Sequence, residues 1–246
     1  MTKKIVSAAF VMIGDEILSG RTEDKNLNFL AKGLAEIGIN LKQVRVVPDK
    51  EEEIIFAVNE VRKKFDYVFT SGGIGPTHDD ITSLSIAKAL NDKLIQHEKA
   101  TEILEQYYGK ENVNEARLKM AFVPSKASLL DNPVSSAPGF RIENIFVMAG
   151  VPKIFQAMFA AAKKELIGGE KTKSREVKIN LTESVIAEDL TNLQALYPEV
   201  SMGSYPFDGG TSLVFRSVNY DDLDKSVEDM IKLLERIKTN SIISVN

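Results

Sequence analysis

The sequence predicts a three-layer α/β/α domain built on a mostly parallel sheet, followed by a small α+β domain of the ferredoxin-like type. Strand-like and helix-like patterns alternate from residue 5 to residue 91, which is typical of a parallel sheet with helices on both faces. Residues 164–174 are rich in glycine and charge, as expected of a boundary between domains. We therefore expect one domain at residues 1–168 and another at residues 174–246.

In the first domain, each element follows from the spacing of its apolar residues. Gly38 ends the first helix, and Pro152 opens the last one, where a proline is tolerated. The predicted strands are residues 5–13, 39–47, 67–69, 129–130, 140–142 and 145–148, and the predicted helices are residues 22–37, 54–61, 80–90, 97–108, 114–120 and 154–166.

The second domain repeats a strand–helix–strand pattern. Its predicted order is strand 176–181, helix 186–196, strand 200–204, strand 212–218, helix 223–237 and strand 242–245. That order suits a sheet with both helices on one face, which is the basis for the ferredoxin-like prediction.

A glycine-rich loop follows the third strand. Ser71 is followed by Gly72, Gly73 and Gly75, which let backbone N–H groups approach an anion closely, and a helix begins directly after the loop. Asp79 and Asp80 would repel that anion unless a cation lay between them. The combination predicts a metal-bridged phosphate or pyrophosphate. The alternative is simple helix capping, with Asp79 as the N-cap and Asp80 as a first-turn acid.

Other polar motifs fall at the ends of neighbouring strands. Gly14, Asp15 and Glu16 follow the first strand, and Asp49 follows the second. Because parallel strands end at the same edge of a sheet, these motifs and the glycine loop are expected to converge on one rim. Asp49 could equally be a turn former, and Asp15–Glu16 an acidic helix start.

Three further features carry weaker signals. The helix start after Gly150 is a second candidate anion site. His78 is interpreted as a solvated loop residue. Ser204 and Tyr205 could cap a ligand or simply end a strand.

Composition excludes several classes of function. Apolar residues form 43% of the chain, enough for a buried core, and the net charge of −4 without a basic stripe argues against a nucleic-acid partner. The absence of cysteine excludes thiolate metal sites and disulfides and is consistent with a cytoplasmic location. No segment is long enough to span a membrane, so no membrane partner is expected. Phe155, Met158 and Phe159 are interpreted as surplus to one core and predict a homo-oligomer.

These motifs also resemble a known family. Residues 72–82, GGIGPTHDDIT, are similar to the signature of the molybdopterin-binding (molybdenum-cofactor biosynthesis) domain family, in its competence/damage-inducible CinA branch, and most similar to the corresponding domain of eukaryotic FAD synthase. The resemblance extends to GDEIL with Gly20, Asp24 and Asn26, to VPD at residues 47–49, to Asn132 with APGF at 137–140, to AGVP at 149–152 and to GSYP at 203–206. Departures include Ser71 for threonine and Ala149 for proline, and they affect expectations about the substrate more than about the fold.

The resemblance implies roles for individual residues. Catalytic residues would be Asp49, Asp80 and Asp79, with Asp49 and Asp80 also holding a divalent metal (Mg²⁺, Mn²⁺ or Co²⁺), and it also allows a monovalent cation. Residues implied to bind substrate are Gly14, Asp15, Glu16, Asn26, Ser71, Gly72, Gly73, Gly75, Pro76, Thr77, Gly150, Pro152 and Ser204.

Three functions remain open at this point. The first is metal-dependent hydrolysis of a nucleotide pyrophosphate such as FAD or ADP-ribose, which the THDD loop favours. The second is adenylylation of molybdopterin, and the third is a module that binds a nucleotide or pterin without turnover. Sequences like the CinA deamidase domain or the FAD synthase adenylyl-transferring domain are missing, so neither activity is expected.

Overall fold

The computed structural model describes residues 5–246, in two compact units that comprise residues 5–169 and 170–246. The first four residues of the predicted first domain lie outside the described range. The strands of the first unit are β1 (Val6–Ile13), β2 (Ile39–Val47), β3 (Tyr67–Ser71), β4 (Leu94–Gln96), β5 (Phe122–Pro124), β6 (Ser128–Leu130), β7 (Gly139–Ile142) and β8 (Ile145–Met148). Its α-helices are α1 (Asp15–Leu18), α2 (Asn26–Ala35), α3 (Glu51–Arg62), α4 (Thr82–Ala89), α5 (Glu98–Tyr108), α6 (Glu115–Lys119) and α7 (Pro152–Ala162).

The first unit is built on a six-stranded sheet with strand order β2-β1-β3-β8-β7-β6. β1 is parallel to β2 and β3, and β3 is parallel to β8. Among these six strands, β7 alone runs in the opposite direction, and it pairs antiparallel with both β8 and β6. The predicted mostly parallel α/β fold is therefore confirmed.

Both faces of this sheet are covered by apolar layers. Phe10 and Val11 are adjacent on β1 and fully buried, and they lie in different layers because successive side chains of a strand point to opposite faces. Phe155, Met158 and Phe159 of α7 are 0%, 1% and 2% exposed and belong to the layer that contains Phe10. The interpretation of these three residues as surplus to one core was wrong, and it no longer supports an oligomer.

Several element boundaries differ from the predicted ones. α2 begins at Asn26 rather than residue 22, because the Asp24 carboxylate accepts hydrogen bonds from the N–H groups of Asn26 and Leu27, at 3.0 Å each. α7 ends at Ala162 and continues as a short 3-10 helix. Strands β4 and β5, which pair antiparallel, were not predicted, because each is only three residues long and its partner lies far along the chain, beyond α5 and α6.

The second unit contains β9 (Lys173–Ile179), α8 (Glu183–Leu196), β10 (Ser201–Phe207), β11 (Gly210–Ser217), α9 (Tyr220–Ile237) and β12 (Ile242–Val245). Its antiparallel sheet has the order β10-β11-β9-β12, which with the βαββαβ sequence of elements is the ferredoxin-like arrangement. The apolar sides of α8 and α9 pack on this sheet through residues such as Ile186, Leu193, Val227 and Met230. None of the helices within residues 5–246 has both the length and the apolar character needed to cross a membrane.

Candidate functional site

Four parallel strands of the first unit end at one edge of the sheet. Residues near their ends lie in register: Met12 of β1 is opposite Ser71 of β3, and Ser71 is opposite Met148 of β8. On the other side of β1, Ile13 is opposite Val47 of β2. The loops that follow these strands therefore leave from neighbouring positions, as predicted for the rim.

The glycine loop, residues 72–80, requires its first two glycines. Gly72 has φ of 106°, and a side chain there would collide with the carbonyl oxygen of Ile13. Gly73 has φ of 69°, and a side chain there would collide with the Thr82 hydroxyl. Only glycine combines this backbone conformation with so close an approach to neighbouring atoms.

Thr82, the first residue of α4, fixes the loop against that helix. Its hydroxyl donates to the carbonyl oxygen of Gly72 at 2.9 Å, and its N–H donates to the carbonyl oxygen of Gly73 at 2.9 Å. Within residues 5–246, the N–H groups of Gly73, Ile74 and Gly75 have no acceptor. Consecutive free amides on a rigid glycine turn form a concave site for an anion.

Asp80 closes a turn at the end of the loop. Its Oδ2 accepts the Thr77 N–H at 2.8 Å and also the Thr77 hydroxyl. The Lys119 ammonium donates to the carbonyl oxygen of Thr77, so α6 holds the same turn from outside. The N-cap of α4 is Ile81, without a side-chain capping bond, and no acid occupies its first turn. The helix-capping interpretation of Asp79 and Asp80 was therefore wrong.

Asp79 lies beside this turn and is exposed. The Thr77 hydroxyl holds the pKa of Asp79 below its usual value, and His78 and Lys119 lower this pKa further. The Thr77 hydroxyl donates to Asp80 in this structure and lies close enough to Asp79 to serve either carboxylate, but with one proton it can donate to only one of them at a time.

The acids of the other loops meet around Asp49. Its carboxylate accepts the Asp15 N–H at 3.0 Å. Burial raises the pKa of Asp49, and the negative charges of Glu16, Asp15 and Asp79 raise it further. The opposing hydrogen bond from Asp15 does not cancel this rise. The structure thus brings together acids from three separate loops at the rim.

A cavity of about 320 Å³, here called the rim cavity, lies beside the glycine loop. Glu16 and Asp80 both line this cavity, whereas Asp49 does not. Of the other predicted residues, those that line it are Gly72, Gly73, Gly75, Pro76 and Gly150. Its volume is at the lower end of the range of about 300–1,000 Å³ for small-molecule sites.

A smaller cavity of about 40 Å³ adjoins Asn26, Ser71, Gly150 and Pro152. The Asn26 amide donates to the Ser71 hydroxyl at 2.9 Å and to the Gly150 carbonyl oxygen at 2.8 Å. Asn26 thereby ties β3 to the loop after β8. Its own side-chain oxygen is buried and has no partner among the described residues.

The remaining predicted residue, Ser204, lies on β10 of the second unit. Its hydroxyl donates to Glu183 at 2.7 Å within that unit. Tyr205 is 48% exposed on the same strand.

Several residues at the site were not predicted. Lys119 holds the turn at Thr77, but an isolated lysine at the end of a helix carries no sequence signal. Asn132 lines the rim cavity, although in the sequence it was recognised only as part of the family resemblance. Its amide donates to Ser135 and to the Ala137 carbonyl oxygen, at 2.7 Å each, and so shapes that wall of the cavity.

A divalent metal ion at this site would need several oxygen ligands. Within residues 5–246, no cluster of three or more histidine, cysteine, aspartate or glutamate side chains could hold a metal by itself. Mg²⁺ commonly binds through one or two carboxylates, substrate phosphates and water. Asp80 beside free backbone amides fits that mode, in which the phosphate completes the site.

Comparison with known proteins identifies both parts of the chain. Residues 9–168 match the family described as probable molybdopterin binding domain, and residues 171–243 match the FAD synthase middle domain. An Archaeoglobus fulgidus protein is 33% identical over 224 residues, covering 91% of this chain and 96% of that protein.

Two further relatives extend the comparison. A probable FAD synthase from Caenorhabditis briggsae is 33% identical over 226 residues, which cover 81% of this chain but only 43% of that protein. The crystal structure of the CinA protein of unknown function from Thermoplasma acidophilum is 34% identical, with a TM-score of 0.62, over 65% of this chain and 96% of that one. The chain therefore belongs to the molybdopterin-binding domain family, and its second unit is similar to the FAD synthase middle domain.

Proposed function

We propose that the protein is a metal-dependent hydrolase of nucleotide pyrophosphates of the FAD or ADP-ribose type. The observation that carries this proposal is the set of free amides at Gly73, Ile74 and Gly75 directly beside the Asp80 carboxylate. A carboxylate next to an anion site repels a phosphate unless a cation binds to both. This arrangement therefore favours a phosphate ligand that binds together with a metal ion.

Each group at the rim has a place in the reaction. The free amides hold one phosphate of the pyrophosphate, and the Thr77 turn keeps Asp80 pointed at it. Asp80 and Asp49 would hold a divalent cation together with the substrate phosphates. When bound, the cation offsets the negative charge that develops on the bridging oxygen as the bond to phosphorus breaks. Addition of water across the P–O–P bridge then gives two phosphate monoesters.

The nature of the relatives supports a nucleotide substrate. The Caenorhabditis briggsae relative is named a probable FAD synthase, and the second unit matches the middle domain of FAD synthase. A dinucleotide joined by a pyrophosphate is the ligand that suits both this relationship and the anion site of the glycine loop.

The test is a product assay with the purified full chain. FAD and ADP-ribose are each incubated with Co²⁺, Mg²⁺ or Mn²⁺, and AMP is quantified by chromatography. We expect AMP together with FMN or ribose 5-phosphate, and loss of both products in excess EDTA. Tight binding of these compounds with no AMP from any of the three metals would favour a binding module instead.

A further inference from the structure

A second cavity, here called the apolar slot, adjoins the rim cavity. It has a volume of about 240 Å³ and lies between α4, the paired strands β4 and β5, and the end of α6. Its apolar lining consists of Ile74, Ile81, Leu84, Leu94 and Phe122. Ile74, Gly75 and Asp80 line both cavities, so this part of the glycine loop forms their common wall.

Leu84 faces this slot rather than the core. The buried residues of α4 are Thr82, Ser85, Ile86, Ala87 and Ala89, whereas Leu84 is 37% exposed. A large apolar side chain that is exposed beside an anion site can form one wall of a ligand-binding site. Its burial against a ligand would be favourable.

The two charged side chains that line the slot, Asp80 and Lys119, are both engaged at the Thr77 turn. Asp80 accepts from Thr77, and Lys119 donates to the Thr77 carbonyl oxygen. Among the described residues that line the slot, Ser83 has the only other polar side chain. The slot therefore suits an uncharged, largely apolar group attached to a phosphate that lies at Gly75.

We propose that the apolar slot holds the second heterocyclic ring of a dinucleotide whose pyrophosphate lies against Gly75 and Asp80. This inference rests on the proposed function and narrows its substrate to pyrophosphates that carry a ring system on each side. A sugar in the slot would lose water from its hydroxyl groups against Leu84 and Phe122 without gaining partners. Compounds that end in a sugar, such as ADP-ribose, should therefore bind more weakly.

The test compares FAD with ADP-ribose by calorimetric titration of the full chain in EDTA, where no hydrolysis occurs. Wild type should bind FAD about tenfold more tightly than ADP-ribose, the difference expected for burial of one apolar group. Leu84→Ser should weaken FAD binding about tenfold and change ADP-ribose binding less than twofold. Phe56→Ser, on α3 and 61% exposed, is the matched control and should change neither.

A second variant, Leu94→Ser, should reproduce the selective loss, and circular dichroism confirms that each variant is folded. Equal affinity for the two ligands, or equal weakening of both by Leu84→Ser, would refute ring binding in the slot. Neither result would bear on the proposed hydrolase activity. Selective FAD binding with no AMP release when metal is restored overturns the hydrolase and supports the slot. Failure of both ligands to bind in EDTA overturns the slot, and the product assay with metal then decides on the hydrolase by itself.

Discussion

Asp49 carries an unfavourable charge in the folded protein. Burial and three neighbouring carboxylates raise its pKa above the ordinary value of 3.8. A raised pKa means that ionised Asp49 destabilises the folded state relative to the unfolded chain. The fold therefore holds a partly buried negative charge that a cation would relieve.

We expect Asp49→Asn to stabilise the metal-free protein at neutral pH. The excess stability should shrink as the pH falls through the raised folded pKa and should vanish below about 3.8, where Asp49 is protonated in both states. Urea unfolding in EDTA across this pH range measures the effect. A variant that is less stable than wild type at neutral pH would contradict the stated environment of Asp49.

Lys119 acts through the turn that orients Asp80. Lys119→Met keeps the apolar stem but removes the ammonium that donates to the Thr77 carbonyl oxygen. We expect kcat to fall about tenfold, which corresponds to loss of one charge-assisted hydrogen bond, with little change in the unfolding midpoint. Steady-state kinetics measure this, with the exposed Lys110→Met as control. Equal activity of both variants would show that the turn does not depend on Lys119.

At the residue scale, site residues could be predicted from the sequence where they directly follow a strand of the parallel sheet. Gly72, Gly73 and Asp80 follow one strand, and parallel pairing brings Asp15, Glu16 and Asp49 to the same edge. Lys119 and Asn132 could not be predicted from spacing, because long-range packing of α6 and of the turn after β6 brings them to the site.

At the scale of elements, the glycine loop and α4 form one structural unit, joined through Thr82. The Thr82 hydroxyl is the only donor within residues 5–246 to the Gly72 carbonyl oxygen, and Thr82 is fully buried. The loop therefore depends on a contact that no helix pattern reveals.

Thr82→Val keeps the shape of the side chain and leaves the Gly72 carbonyl oxygen without a partner. We expect a loss of about 1–3 kcal/mol in the free energy of unfolding, measured by urea denaturation. Thr101→Val is the control, because the His97 carbonyl oxygen still accepts the Thr101 N–H after the hydroxyl is removed. Equal losses in the two variants would refute the special role of Thr82.

Element type was easier to predict than element boundaries. The long helix α9 was recognised because buried residues such as Leu223, Val227, Met230 and Leu234 recur along it with helical spacing. The start of α2 was misplaced by four residues, since the side chain of Asp24 rather than apolar periodicity sets it. The paired strands β4 and β5 were missed, although Leu94 of β4 and Phe122 of β5 line the proposed slot.

At the scale of the whole molecule, each unit has its own apolar core. The second unit buries residues such as Val177, Leu213, Phe215 and Leu234 within itself. We expect residues 170–246, produced alone, to unfold cooperatively in a thermal scan followed by circular dichroism. A fragment without a cooperative transition would show that this core is insufficient by itself.

At the scale of the whole molecule, function depends on the proposed role of Asp80, which is to position a metal on a pyrophosphate. This claim is tested by measuring metal-dependent AMP release by the Asp80→Asn variant. The substitution keeps an oxygen that can accept the Thr77 N–H, so the fold should persist. We expect turnover at least about 100-fold lower than that of wild type, with FAD binding in EDTA preserved or strengthened, because a repelling charge is removed. Glu102→Gln, which removes an exposed charge from α5, should retain full activity. Full metal-dependent turnover by Asp80→Asn would contradict the claim.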